Sequence, residues 1–276
     1  MEVYYQNSRG EVLYLTRWPY WMQTGDIINY SWSYRSNTYN RLQGFDRGIQ
    51  EKTITLTIKT STPEEYSIAV DEFHRITETD TILNTPGKLY INGSYLQCFV
   101  VSSEKTEWES MNMSMDNTIR LITDRPQWVN EITRSFQKAS LNQTSNENNN
   151  GNFPHDHPYD YARNLMNEEI FNAAIVNSKF RMIIYGGCIN PEVTISGHTY
   201  KVLDTLEDKE YMVIDSVSKT IIKHKTYGEI ENIFQRRYKP ESVFAPIPAG
   251  DNPVFWNRNF GFDLTLIQER SEPAWS

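Results

Sequence analysis

Residues 52–101 read KTITLTIKTSTPEEYSIAVDEFHRITETDTILNTPGKLYINGSYLQCFVV, and three successive periodicities in them decide the fold. In Lys52–Ile58, Ile54, Leu56 and Ile58 fall on one face and threonines on the other, the pattern of a half-buried strand. Thr62 then stands as an N-cap, Pro63 at the first helical position, and Glu65 completes a T-x-x-E capping box. Tyr66, Ala69, Val70, Phe73 and Ile76 follow at helical spacing, which predicts a helix over 62–77 with His74 solvated on its outer side. Next, Lys88–Ile91 and Ser94–Val101 flank Asn92-Gly93. A type I′ turn needs positive φ at both central positions, so this pair predicts a β-hairpin.

Working outward, Glu11–Leu15 and Ile27–Tyr34 read as imperfectly alternating strands, and Met113–Thr123 as a strand closed by Asp124-Arg125-Pro126. Ser140–Asn152 (SLNQTSNENNNGN) marks a boundary: nearly free of apolar residues, it cannot bury enough surface to fold alone. Phe153–Tyr161 (FPHDHPYDY) is rich in prolines and aromatics and is expected to lie extended. Asn167–Val176 fits a helical turn or a strand, and both readings stay open.

Beyond it the chain is again β. Phe180–Tyr185, Glu192–Ile195 turning at Ser196-Gly197 into Thr199–Leu203, a hairpin of Tyr211–Asp215 with Lys219–Lys223, Val243–Phe244, Val254–Trp256 and Phe260–Ile267 are short strands between turn residues. That spacing suggests a β-sandwich. The fold expected is mainly β: residues 1–136 a β-rich domain with one helix, 137–158 an Asn-rich linker and extended segment, and 159–276 a β-sandwich.

The bulk properties agree. A length of 276 residues suits one large domain or two ordinary ones. Tyr, Trp and Thr are abundant, which fits strands, and the mean hydropathy of −0.61 describes a folded chain with a very polar surface. The net charge of −8 argues against specific nucleic-acid binding, which needs a basic footprint. It suits a surface past which a polyanion slides without sticking. No apolar run approaches a membrane span, so no membrane insertion is expected. The start MEVYYQN has neither the basic nor the apolar region of a secretory signal, which predicts synthesis and folding in a cytoplasm.

Chemistry-bearing patterns are sparse. There is no phosphate-binding Gly loop, G-x-S-x-G, H-E-x-x-H or C-x-x-C. Cys98 and Cys188 read as buried apolar residues. His155 and His157, with Asp156 and Asp160, have a spacing that can bind zinc, but no distant partner completes a set and they read as solvated. Glu168-Glu169 and Glu207-Asp208 are adjacent carboxylates of ordinary surface type, because a glycosidase needs two facing each other across a cleft. Trp256 and Trp275 could stack on a sugar but fit core or interface positions better. No catalytic, cofactor-binding or metal-ligating residue is therefore assigned.

Several runs, in order along nearly the whole chain, resemble the distal tail proteins of long-tailed, non-contractile phages. They are Leu42-Gln43-Gly44-Phe45, the helix start Thr62–Tyr66, the hairpin Gly87–Tyr95, and Thr123-Asp124-Arg125-Pro126-Gln127-Trp128. Pro158-Tyr159-Asp160-Tyr161 resembles the family's linker. The second half adds Ile184-Tyr185-Gly186, Asn190-Pro191, Gly197-His198-Thr199-Tyr200, Ile214-Asp215, Lys219-Thr220-Ile221, Pro248-Ala249-Gly250-Asp251-Asn252 and Glu269-Arg270. The Asn-rich insert before Phe153 departs from the pattern.

The resemblance implies a structural virion protein at the distal end of the tail, made in the host bacterial cytoplasm. It implies a hexameric ring formed by the N-terminal domain, residues 1–136, as a β-barrel-like fold with one helix, and a galectin-like C-terminal sandwich outside. The partners implied are further copies of the chain, the major tail tube protein, the tail-associated lysin or tip protein, and receptor-binding or other baseplate proteins, with DNA passing through the lumen. It carries no catalytic residue and no cofactor. One rival reading is a carbohydrate-binding adhesin module on the C-terminal sandwich; another is a cell-wall hydrolase, for which no constellation of residues speaks.

Overall fold

The computed structural model describes residues 2–105, 113–139 and 168–274. The Asn-rich linker, Phe153–Tyr161 with its H-x-H pair, and Trp275 lie outside them. The chain divides into two compact units: residues 1–130 with 269–276, and residues 131–268. The return of the C-terminal residues to the first unit is not legible from pattern, because that segment carries no periodicity of its own.

The first unit holds strands β1 (Val3–Gln6), β2 (Val12–Tyr14), β3 (Tyr20–Gly25), β4 (Ser33–Ser36), β5 (Leu42–Asp46) and β6 (Gln50–Lys59). Helix α1 (Pro63–Leu83) follows, then β7 (Gly87–Ile91), β8 (Ser94–Lys105), β9 (Ser114–Thr123) and the start of β10 (Trp128–Phe136). β8 belongs to two ladders. Its first half pairs with β7 and β10, and β7 leads on through β1 to β2. Its second half pairs with β9, which leads on through β6 to β3. A register shift between Val100 and Ser102 separates the halves, and such a bulge bends and twists the strand. The ladders end on β2 and β3, so the strands wrap a common core without closing into a barrel.

The β6 alternation holds: Ile54, Leu56 and Ile58 are buried with Leu89, Ile91, Leu96, Ile119 and Leu121. Asn92 (φ 47°) and Gly93 (φ 80°) form the expected turn. β1, β3 and β10 carry strands where no pattern announces them. Conversely, of Ile27–Tyr34 only the end lies in a strand.

Helix α1 opens as predicted, with Thr62 Oγ1 accepting the Glu65 N–H at 3.2 Å. The Glu65 carboxylate answers by accepting the Ser61 N–H at 3.0 Å, one residue earlier than a capping box requires. The helix runs to Leu83, past the predicted end at 77, because its buried face continues in polar residues. Thr77 Oγ1 donates back to the Phe73 carbonyl. Asp80 is fully buried and accepts from the Tyr5 hydroxyl at 2.5 Å and the Ser8 N–H at 2.7 Å. Gly87 makes room for this pair: a Cβ there would stand 2.2 Å from Tyr5 Oη and 2.3 Å from Asp80 Oδ2. Asn84, in the left-handed region (φ 51°), ends the helix.

The second unit has two sheets and a two-stranded piece. β10, β21 (Phe262–Arg270), β12 (Lys179–Tyr185), β17 (Tyr211–Asp215), β18 (Thr220–His224) and β19 (Ile230–Asn232) follow one another in the first. β11 (Glu168–Asn172), β20 (Gly250–Trp256), β14 (Glu192–Ile195) and β15 (His198–Lys201) make the second, and β13 (Cys188–Ile189) pairs with β16 (Thr205–Leu206). Of the segment left open between helix and strand, Glu168–Asn172 is a strand and 173–176 leave it. Val243–Phe244, expected as a strand, is a turn whose Val243 plugs the core. Phe180, Met182, Ile184, Ile214, Phe260, Phe262, Leu264 and Leu266 fill the space between the sheets. This is the predicted sandwich.

Candidate assembly interface

β4 and β5 form a two-stranded ladder that pairs with no other strand among the described residues. Asn37 folds its tip: Oδ1 accepts the N–H of Tyr39 (2.9 Å) and of Arg41 (3.0 Å). Asn40 takes a positive φ of 55°, which asparagine tolerates. Tyr34 stands opposite Phe45, Arg35 opposite Gly44, and Ser36 opposite Leu42. Strand alternation puts Tyr34 and Phe45 on one face and Ser33, Arg35 and Asp46 on the other, and the register shift between Arg35 and Ser36, which skips Gln43, brings Leu42 beside Ser36 on the Tyr34 face; Trp32 precedes the strand on that side. Arg35 Nε meets Asp46 Oδ2 at 2.7 Å on the polar face.

The root is anchored and the body is not. The Arg47 guanidinium lies 3.8 Å over the Trp32 ring, and its nitrogens donate to the Pro126 carbonyl (3.1 Å) and Ser271 Oγ (2.5 Å). Burial pushes the Arg47 pKa down, opposed by the charge of Glu269. Beyond this root the four apolar side chains are between 46% and 67% exposed, and a cavity of about 320 Å³ opens beside Trp32 and Phe45. A two-stranded hairpin is marginal in water by itself. Full burial of an apolar side chain of this size is worth roughly 1.5–3 kcal/mol, of which these half-exposed ones forgo a part, and a contiguous apolar patch of this kind marks an interaction surface.

No reading of composition found this surface. Its strands are too short for a period to declare itself, although Trp32/Tyr34 and Leu42/Phe45 placed symmetrically about the polar Asn37–Arg41 tip is a signal that could have found it.

The second unit bears a smaller candidate. Tyr185, Tyr211, His224 and Ile230 lie side by side across β12, β17, β18 and β19. Tyr211 stacks on His224, with ring centroids 4.4 Å apart. The Tyr185 hydroxyl donates to Asp263 Oδ2 at 2.5 Å, and that bond, with burial, pushes its pKa up to about 12.

The residues weighed for chemistry are placed elsewhere. Glu168 is tied to Arg134 (3.5 Å) and Arg258 (3.9 Å), while Glu169 alternates to the other side of β11. The backbone N–H of Glu207 is held by the Glu210 carboxylate at 2.9 Å. Trp256 packs edge-on against Phe136 and Phe262 and donates to the Phe260 carbonyl, so it serves the core. Both cysteines are buried; desolvation pushes Cys98 up to about 12 and Cys188 to about 11, keeping them thiols. Burial, followed by the neighbouring Lys105 charge, lowers the His74 pKa. Among the described residues no group of three or more His, Cys, Asp or Glu could hold a metal, and no helix is long and apolar enough to cross a membrane.

No protein-family model and no curated protein matches the sequence. Solved structures do match its fold. A chain of the phage P2 baseplate in its activated conformation with calcium is 13% identical with a TM-score of 0.62, covering 99% of each chain. The corresponding baseplate with strontium gives 13% and 0.61, again over 99% of both. The SPP1 Dit protein, a hub of the adsorption apparatus in phages infecting Gram-positive hosts, is 7% identical with a TM-score of 0.60, covering 97% of this chain and 98% of its own. The matches span 97–99% of this chain, which has the Dit-like fold of the phage baseplate hub proteins.

Proposed function

We propose that this chain is a structural hub subunit of a phage tail tip and not an enzyme. Six copies form a ring at the distal end of the tail. The first unit builds the ring, which joins the major tail tube protein to the tail-associated lysin or tip protein. The second unit stands outside as the attachment point for receptor-binding or other baseplate proteins. DNA leaves through the lumen, a passage that the chain's net charge of −8 suits, and the protein is made in the cytoplasm of the bacterial host.

The observation that carries this reading is the end-to-end match to baseplate and hub chains, which spans 97–99% of the chain. The exposed hairpin supports it, because a subunit that works alone has no use for such a surface. Immunogold labelling of intact virions with antibody raised against the purified chain tests it. Gold at the tail end remote from the head is expected; virions that lack the chain would refute the proposal.

The Tyr185–Tyr211–His224 row favours one second reading, a carbohydrate-binding role of the second unit, since flat exposed rings stack on sugars. Glycan-array binding by the full chain that disappears in Tyr211→Ala is its signature.

A further inference from the structure

Resting on the hub reading, we infer that the apolar face of the β4–β5 hairpin in one copy docks on the outer face of α1 in the next. Glu64, Ile68, Asp71, Arg75, Glu78 and Ile82 follow at intervals of four and three and form one stripe along that face. Ile68 and Ile82 are 68% and 78% exposed. The opposite face is already occupied, because in its own unit the helix packs on β8, β6 and β2.

The charges are complementary. Trp32–Arg47 holds three arginines and one aspartate, 3 − 1 = +2, in a chain whose total is −8. Residues 63–83 hold six acids and one arginine, 1 − 6 = −5. Arg75 is moreover paired with Glu11, which leaves Glu64, Asp71 and Glu78 to set the stripe's potential. Arg35 is paired with Asp46 and Arg47 is held at the root, so Arg41 at the tip brings the hairpin's positive charge to an acidic helix face set with isoleucines. Such complementarity steers encounter and fixes register.

Among the described residues neither surface is covered within a single copy, which leaves both free to meet a second copy. The contact joins different patches on the two partners. It is heterologous, and a heterologous contact propagates into a ring when its rotation closes. A two-fold dimer would make the same contact twice, reciprocally, so the size of the particle distinguishes it from a ring.

The test places a photo-crosslinker in the full chain, Tyr39→p-benzoylphenylalanine at the hairpin tip. Heavy-isotope-labelled and unlabelled chains are mixed in equal amounts during assembly, and light scattering is recorded in parallel. The expected result is a ring-sized particle whose crosslinked peptides join the hairpin to residues 63–83, half of them pairing a heavy with a light chain. The double variant Asp71→Lys/Glu78→Lys, at solvent-facing positions, should keep its circular dichroism and lose the ring, leaving the 32.4 kDa monomer. A ring whose crosslinks map elsewhere or stay within one chain, or one that survives the charge reversal, overturns this contact and leaves the hub reading standing. A chain that forms no ring and no interchain crosslink overturns both.

Discussion

Lys223 shows how much one buried charge can organise. Its side chain and that of Glu210 are nine-tenths buried, yet Nζ reaches Glu210 Oε2 at 2.9 Å, the Thr205 carbonyl at 2.6 Å and Asp204 Oδ2 at 3.7 Å. Arg236 closes the cluster on Asp204 at 2.7 Å. Burial alone would raise the Glu210 pKa, but the bond from Lys223 and the Glu207 N–H outweigh it and hold the carboxyl below its usual range. A carboxyl with a depressed folded-state pKa stabilises the fold above its unfolded pKa, and that contribution is lost as pH falls through the folded value. Lys223→Met strips buried Glu210 of its hydrogen-bonded cation, while Asp204 keeps Arg236. It should cost about 3–5 kcal/mol at neutral pH in thermal or urea unfolding, and the gap to wild type should narrow on acidification as Glu210 takes up its proton. A variant of wild-type stability at neutral pH would show that the cluster is idle. In the sequence Lys223 reads only as the end of a strand, since its partners arrive from a loop and from two separate strand ends.

At the scale of elements, legibility followed periodicity. β6, the start of α1, the Asn92-Gly93 hairpin and the Phe260–Leu266 alternation were all readable, because in each the buried side chains are apolar and recur at a fixed period. The end of α1 was not. Thr77 and Asp80 hold the buried face after the apolar residues run out, and Asp80 is acceptable there only because Tyr5 and Ser8, far off in the chain, satisfy it. β10 was hidden for another reason: its exposed stretch of Thr and Arg shows no alternation, and its pairing comes from distant strands. The β4–β5 hairpin was missed because it has no core to be periodic towards. That makes a kinetic prediction. In the isolated subunit, limited trypsin digestion should cut first at Arg41, at the exposed tip, and assembly should suppress that cut. Equal cleavage at Arg41 in free and assembled protein would mean the hairpin plays no part in the interface.

For the whole molecule, two cores follow from the strand patterns, but the route between them does not. The first unit takes back residues 269–276, so the second is inserted between the two ends of the first. Ala274 N–H donates to Ser94 Oγ at 3.1 Å in that returning segment. Removing the C-terminal residues therefore touches the first unit, which the proposed ring is built from. The ring itself is the central claim, and the mass of the purified full chain in solution, measured by size-exclusion chromatography with light scattering and followed by negative-stain imaging, tests it most directly. The account predicts a particle of six chains, 6 × 32.4 or about 194 kDa, with a central hole. A 32.4 kDa species at every concentration reached, or a two-fold dimer without a hole, would contradict it.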